Sequence, residues 1–201
     1  NENNSLSFLV AKDGQIIYER YQGYANKNKD TKITQDTPIH IASVSKVLTA
    51  TAILILIDRK DIDLNQKVNT ILDNFPYPDI TVATLLNHRS GLRNYAYFIE
   101  DKGVWDLHKT ITNQDILNLF TEKNIQLESK TNTRFSYCNT NYAMLALIIE
   151  KVTGLKYSDA MKEMIFDPLK MEHTFVFDFD KGEKPEVPSY KASGMELAID
   201  H

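Results

Sequence analysis

The chain has 201 residues, 42% of them hydrophobic and 25% charged, enough to bury a core in one large domain or two small ones. A net charge of −4 leaves no basic footprint and argues against nucleic acid or an anionic membrane surface as a partner. Cys138 is the only cysteine, so no internal disulfide is possible; zinc-spaced Cys/His clusters, phosphate-binding glycine loops and dinucleotide fingerprints are absent too, and no metal or cofactor is expected.

Residues 5–12 and 15–24 alternate as strands do, and Asp13-Gly14 between them is a strong two-residue hairpin signal. A polar connection, 25–37, follows. The next element is a helix from about Ser43 to Lys60, whose apolar run from Val47 to Ile57 spans 11 residues. That is well short of the ~20 a membrane span needs, so no span is expected and the run reads as a core helix. It shows no polar stripe before Asp58 apart from Thr49 and Thr51, which predicts burial on all sides.

From Asp61 to Lys170 the pattern is helical with short loops. Thr81 is placed to cap a helix carrying Val82, Leu85 and Leu86, and Thr112 with Asp115 forms a capping-box pattern. A helix from about Thr140 to Thr153 should stop at Gly154, and another should run from Ser158 towards Pro168. The run Thr174-Phe175-Val176-Phe177 then turns strand-like. Strands, helices and a strand again predict an α+β chain: a sheet domain begun by 1–62, a helical domain over 63–170, and a return towards the sheet over 171–201. The chain starts at Asn1 without methionine or signal peptide, as expected of a processed or trimmed product.

The segment with most chemical content is Ser43-Val44-Ser45-Lys46 at the mouth of the apolar helix. Residues three apart on a helix share a face, their Cβ atoms about 5–6 Å apart. A serine hydroxyl is a weak nucleophile until a neighbouring base takes its proton, and the positive end of a helix favours the developing alkoxide. Taken alone, the tetrapeptide fits equally a helix N-cap serine followed by a solvated lysine.

Two further segments change that reading. They are Leu85-Leu86-Asn87-His88-Arg89-Ser90-Gly91-Leu92 and Phe135-Ser136-Tyr137-Cys138-Asn139-Thr140-Asn141-Tyr142. In this order, with Tyr137 94 positions after Ser43, the chain resembles the serine β-lactamase and penicillin-binding protein superfamily, nearest its class C and esterase-like branch. Asp63-Leu64-Asn65-Gln66-Lys67-Val68 and Pro168-Leu169-Lys170-Met171 add to the likeness.

The resemblance implies a β-lactamase/transpeptidase-like fold, an antiparallel sheet with flanking helices plus an inserted all-helical domain. It also implies a serine hydrolase acting through an acyl-enzyme on a small acyl substrate: a β-lactam, a D-alanyl peptide or a small ester. Ser43 would be the nucleophile, Lys46 the base or its proton relay, Tyr137 a proton carrier, and Asn139 an amide that orients substrate and lysine. His88 reads as a structural loop residue, Asn139 as an alternative helix cap, and Cys138 as a small buried hydrophobe.

The family's third box, K-T-G or H-T-G, lies well beyond Tyr137 in relatives and is not found here; Lys191-Ala192-Ser193-Gly194 does not match it. That box carries the usual second oxyanion donor, beside the Ser43 backbone N–H, and one lost donor costs about 10²–10³ in rate. Weak activity of the isolated chain is therefore expected. The resemblance further implies an exported, cell-envelope location. Two alternatives stay open: a non-catalytic ligand-binding or sensor relative, and an inactive fragment that self-associates through exposed sheet edges.

Overall fold

A computed structural model describes residues 5–177 together with 187 and 188. Lys191-Ala192-Ser193-Gly194 lies outside them. The chain divides into two compact units, one holding the residues up to Ala42 and the segment from Glu172, the other Ser43–Met171.

In the first unit, β1 (Leu6–Lys12) and β2 (Gln15–Gln22) pair antiparallel, with Lys12 opposite Gln15 and a register shift at Val10/Ala11. The turn is Asp13-Gly14, at φ 51° and 76°, the doubly left-handed geometry that matches the strands' twist. The strand expected over 15–24 stops at Gln22, and Tyr24 instead opens β3 (Tyr24–Asn26), which runs into the polar connection and pairs antiparallel with β4 (Thr31–Lys32). Their shortness hides them from any alternation test. Thr174–Phe177 was expected to be a strand and does not take strand structure, since β propensity alone does not make a ladder.

The second unit is built around α5 (Asn139–Thr153), buried continuously from Ala143 to Ile149. Against it pack α1 (Ser45–Asp58), α2 (Val82–Leu86), α3 (Tyr95–Phe98), α4 (Asn113–Glu122) and α6 (Tyr157–Met161), the last continuing as a wider turn through Lys162–Phe166. The core joins Leu85, Phe98, Ile116 and Phe120 to Met144, Leu145, Ile148 and Ile149. Local signals set the helix ends. Thr81 and Thr112 each close a capping box, and Gly154 ends α5 at φ 72°.

Helix α1 departs from expectation. It buries Thr49, Ala52, Ile53 and Leu56, yet Val47 and Leu54 are exposed on the opposite side. A helix without a polar stripe carries no mark of which face its neighbours cover, and here only one is covered among the described residues.

Candidate active site

Ser43 sits in a tight turn, Ala42–Val44, directly before α1. It is not the helix cap: Val44 holds that position and offers no side-chain cap. The hydroxyl is engaged elsewhere. Lys46 Nζ donates to Ser43 Oγ at 3.1 Å, and Tyr137 OH donates to the same oxygen at 2.7 Å. A lysine one helical turn away and a tyrosine from the other end of the motif series thus converge on one exposed hydroxyl.

Lys46 lies within cation–π range of two rings, 5.1 Å from the centre of Tyr137 and 5.7 Å from that of Tyr142. Hydrogen bonding to Lys46 first, then to the Ser43 hydroxyl, with the Lys46 charge a smaller contribution, draws the Tyr137 phenol below its usual pKa of 10.0. Tyr137 is half exposed, whereas burial pushes the Tyr142 phenol up. Two tyrosines flanking one ammonium are therefore unequal acids.

A buried layer lies behind Tyr137. The imidazole of His88 is tilted against Tyr137 at 4.7 Å and against Tyr142 at 5.2 Å. His88 O accepts from Ser136 N at 2.9 Å, Arg89 O from Asn132 N at 2.7 Å, and Gly91 O from Glu128 N at 2.8 Å. The Leu85–Leu92 motif is in effect a clasp on the segment that delivers Tyr137. Gly91 is required there, since a Cβ at this position would stand 2.0 Å from the Ser129 carbonyl oxygen. Cys138 is buried, its Sγ facing Leu92 O at 3.3 Å, and burial raises its thiol pKa.

The structure brings together Ser43, Lys46 and Tyr137. Asn139 stands two residues after Tyr137 as the first residue of α5, partly buried, and its side chain makes no hydrogen bond among the described residues. It does not cap the helix either, since Cys138 occupies the cap position. Sequence reasoning passed over Asn141, which is fully buried and bonded to Ser90 and His88. Its one signal is a polar side chain on the core side of an otherwise apolar helix. Among the described residues no group of three or more His, Cys, Asp or Glu side chains could hold a metal, and no helix is long and apolar enough to cross a membrane.

Comparison with known proteins agrees with this arrangement. The family model described as Beta-lactamase matches residues 2–199. Penicillin-binding protein 4* of Bacillus subtilis is 36% identical over 171 residues, covering 85% of this chain and 37% of the relative. A D-aminopeptidase of Brucella anthropi is 30% identical over 171 residues, covering 81% of this chain and 31% of the relative. Among solved structures, the octameric penicillin-binding protein homologue from Pyrococcus abyssi superposes with a TM-score of 0.75 at 28% identity, covering 95% of this chain and 45% of that one. The chain thus spans 31–45% of the length of the curated relatives it matches.

Proposed function

Since the chain belongs to the Beta-lactamase family, acyl transfer is the starting premise, and we propose that Ser43 is the nucleophile of a serine hydrolase working through an acyl-enzyme. The observation that carries this is the convergence of Lys46 Nζ and Tyr137 OH on Ser43 Oγ.

The steps follow from those contacts. With Tyr137 ionised, the 2.7 Å contact runs in reverse and the serine O–H donates to the phenolate. Oγ attacks the substrate carbonyl carbon; the new O–C bond forms as the carbonyl π pair moves onto oxygen and the serine proton passes to Tyr137. The tetrahedral oxyanion collapses, the C–N or C–O bond breaks, and Tyr137 returns the proton to the leaving nitrogen or oxygen. Water then attacks the ester carbonyl as Tyr137 again takes a proton; the second tetrahedral intermediate collapses, the Oγ–C bond breaks to release the acid, and Tyr137 returns the proton to Ser43 Oγ. Lys46 donates to Ser43 Oγ and keeps the serine in line, and its contact with Tyr137 keeps the phenol acidic. Asn139, at the start of α5, is proposed to bind the substrate's amide.

The substrate class proposed is a β-lactam, a D-amino-acyl peptide or amide, or a small ester, in keeping with relatives named as penicillin-binding proteins and D-aminopeptidases. A cell-envelope location belongs to the same proposal and is supported by kinship with bacterial penicillin-binding proteins. So does self-association: the β1–β2 hairpin leaves Phe8, Ile16 and Ile17 exposed, and one homologue is an octamer. Elution as a monomer at micromolar concentration refutes that part.

Intact mass spectrometry after exposure to a penicillin and to an activated ester tests the chemistry. An adduct mapped to Ser43 and lost in Ser43→Ala is the expected result. No adduct from either reagent, or one that survives the substitution, overturns the proposal.

A further inference from the structure

We infer that His88, held neutral, is the residue that positions Tyr137 for proton transfer; the inference rests on Tyr137 being the proton carrier proposed above. His88 grips the backbone on both sides of that tyrosine. Its carbonyl accepts from Ser136 N at 2.9 Å and its Nδ1 accepts from Cys138 N at 3.2 Å, so the residues before and after Tyr137 are tied to one side chain and its own backbone. The imidazole face then lies 4.7 Å from the Tyr137 ring. Backbone and ring of the tyrosine are thus both located by His88.

The protonation state is dictated by the donors. Cys138 N–H can only donate, so Nδ1 must be the bare nitrogen and Nε2 carries the proton. Asn141 agrees: its Oδ1 accepts from Ser90 Oγ at 2.5 Å, which turns its NH₂ towards Nδ1 at 3.1 Å. A proton added to Nδ1 would face two N–H groups. Among the described residues no carboxylate faces the ring to pair with such a proton. The titratable groups that face it are Lys46 from α1, Tyr137 and Cys138 from the segment entering α5, and Tyr142 from α5, while Arg89 follows it in the chain. His88 also holds a left-handed backbone, φ 58°, unusual for a non-glycine residue and kept where the surroundings over-determine it.

The test compares His88→Leu, which removes the acceptor, with His88→Asn, which keeps an acceptor near Nδ1 and tolerates the left-handed backbone. The first readout needs no substrate: the ultraviolet titration of the Tyr137 phenol, taken in each background as the difference from Tyr137→Phe. The second is the acylation rate of Ser43. In His88→Leu the phenol should titrate closer to 10, and acylation should fall on the order of 10²-fold with KM unchanged, as for a misplaced catalytic group. His88→Asn should recover part of both losses. A Leu variant with unchanged titration and rate, or Leu and Asn variants equally impaired, overturns the inference.

Should the Leu variant not fold, nitrogen-15 spectra of the unsubstituted chain decide. Nδ1 must stay unprotonated and Nε2 protonated across the range in which Tyr137 titrates, and a proton on Nδ1 overturns the inference. If Ser43 is never acylated while the Tyr137 titration still responds to His88, the proposed chemistry falls and the positioning role stands.

Discussion

Replacing Gly91 by alanine tests whether the clasp behind Tyr137 is as tight as the geometry says. The new methyl meets two separate penalties. Gly91 has φ 82°, and a left-handed backbone costs an L-residue roughly 1–2 kcal/mol. Its Cβ would also lie 2.0 Å from the Ser129 carbonyl oxygen, a rigid backbone atom that can yield only if the loop moves. Forced shifts of this kind cost about 1–3 kcal/mol, for a total of roughly 2–5 kcal/mol.

Gly154 provides the internal control. It lies in the same unit at φ 72°, and a methyl added there would meet nothing within 4 Å, so Gly154→Ala should lose only the backbone penalty of about 1–2 kcal/mol. Urea unfolding followed by circular dichroism, with equal m-values in the two variants, measures the difference. Thermal unfolding should show a fall of roughly 4–20 °C for Gly91→Ala. Acylation of Ser43 should weaken in that variant as well, because Gly91 O holds Glu128 N in the segment leading to Tyr137. Equal destabilisation by the two substitutions would refute the close approach at Ser129.

The remaining predictions concern charge and capping. Lys46→Ala should raise the Tyr137 phenol towards 10.0 and move the rising limb of the acylation–pH profile to higher pH; an unmoved limb refutes the lysine's role. His88 has a folded pKa below its usual 6.5, so the unfolded chain takes up the proton first as pH falls. The stability His88 contributes is therefore full above about pH 6.5 and is lost on descent towards the folded value, and Tm should drop between pH 7 and 5 by less in His88→Asn than in the unsubstituted chain. Thr112→Ala removes the capping box with Asp115 and should cost about 1 kcal/mol in urea unfolding without changing acylation.

The features legible in the sequence are those whose physics is local. Asp13-Gly14 meets the dihedral demand of a tight hairpin by itself, as do the Thr81 and Thr112 caps and the Gly154 terminus. The partnership of Ser43 with Lys46 follows from helical spacing, and that of Ser43 with Tyr137 from the order of three recognisable segments. What could not be read has partners chosen by the rest of the chain. Val47 and Leu54 look like core residues, yet they are exposed because, among the described residues, neighbours cover only the other side of α1. Thr174–Phe177 has strand residues and does not take strand structure. Asn139 belongs to the same motif as Tyr137, but side-chain bonding there goes to Asn141 instead.

The sequence by itself therefore determined the hairpin turn, the helix caps, the family, and the identity of the residues that meet at Ser43, because each depends on a short window or on the order of such windows. Only the tertiary structure decided how those residues act. The lowered phenol pKa at Tyr137 requires Lys46 to come within reach across 91 positions of chain, and the neutral state of His88 requires Cys138 N–H and Asn141 to converge on Nδ1. Coulombic fields and hydrogen-bond direction depend on distance in space, and folding alone supplies that distance.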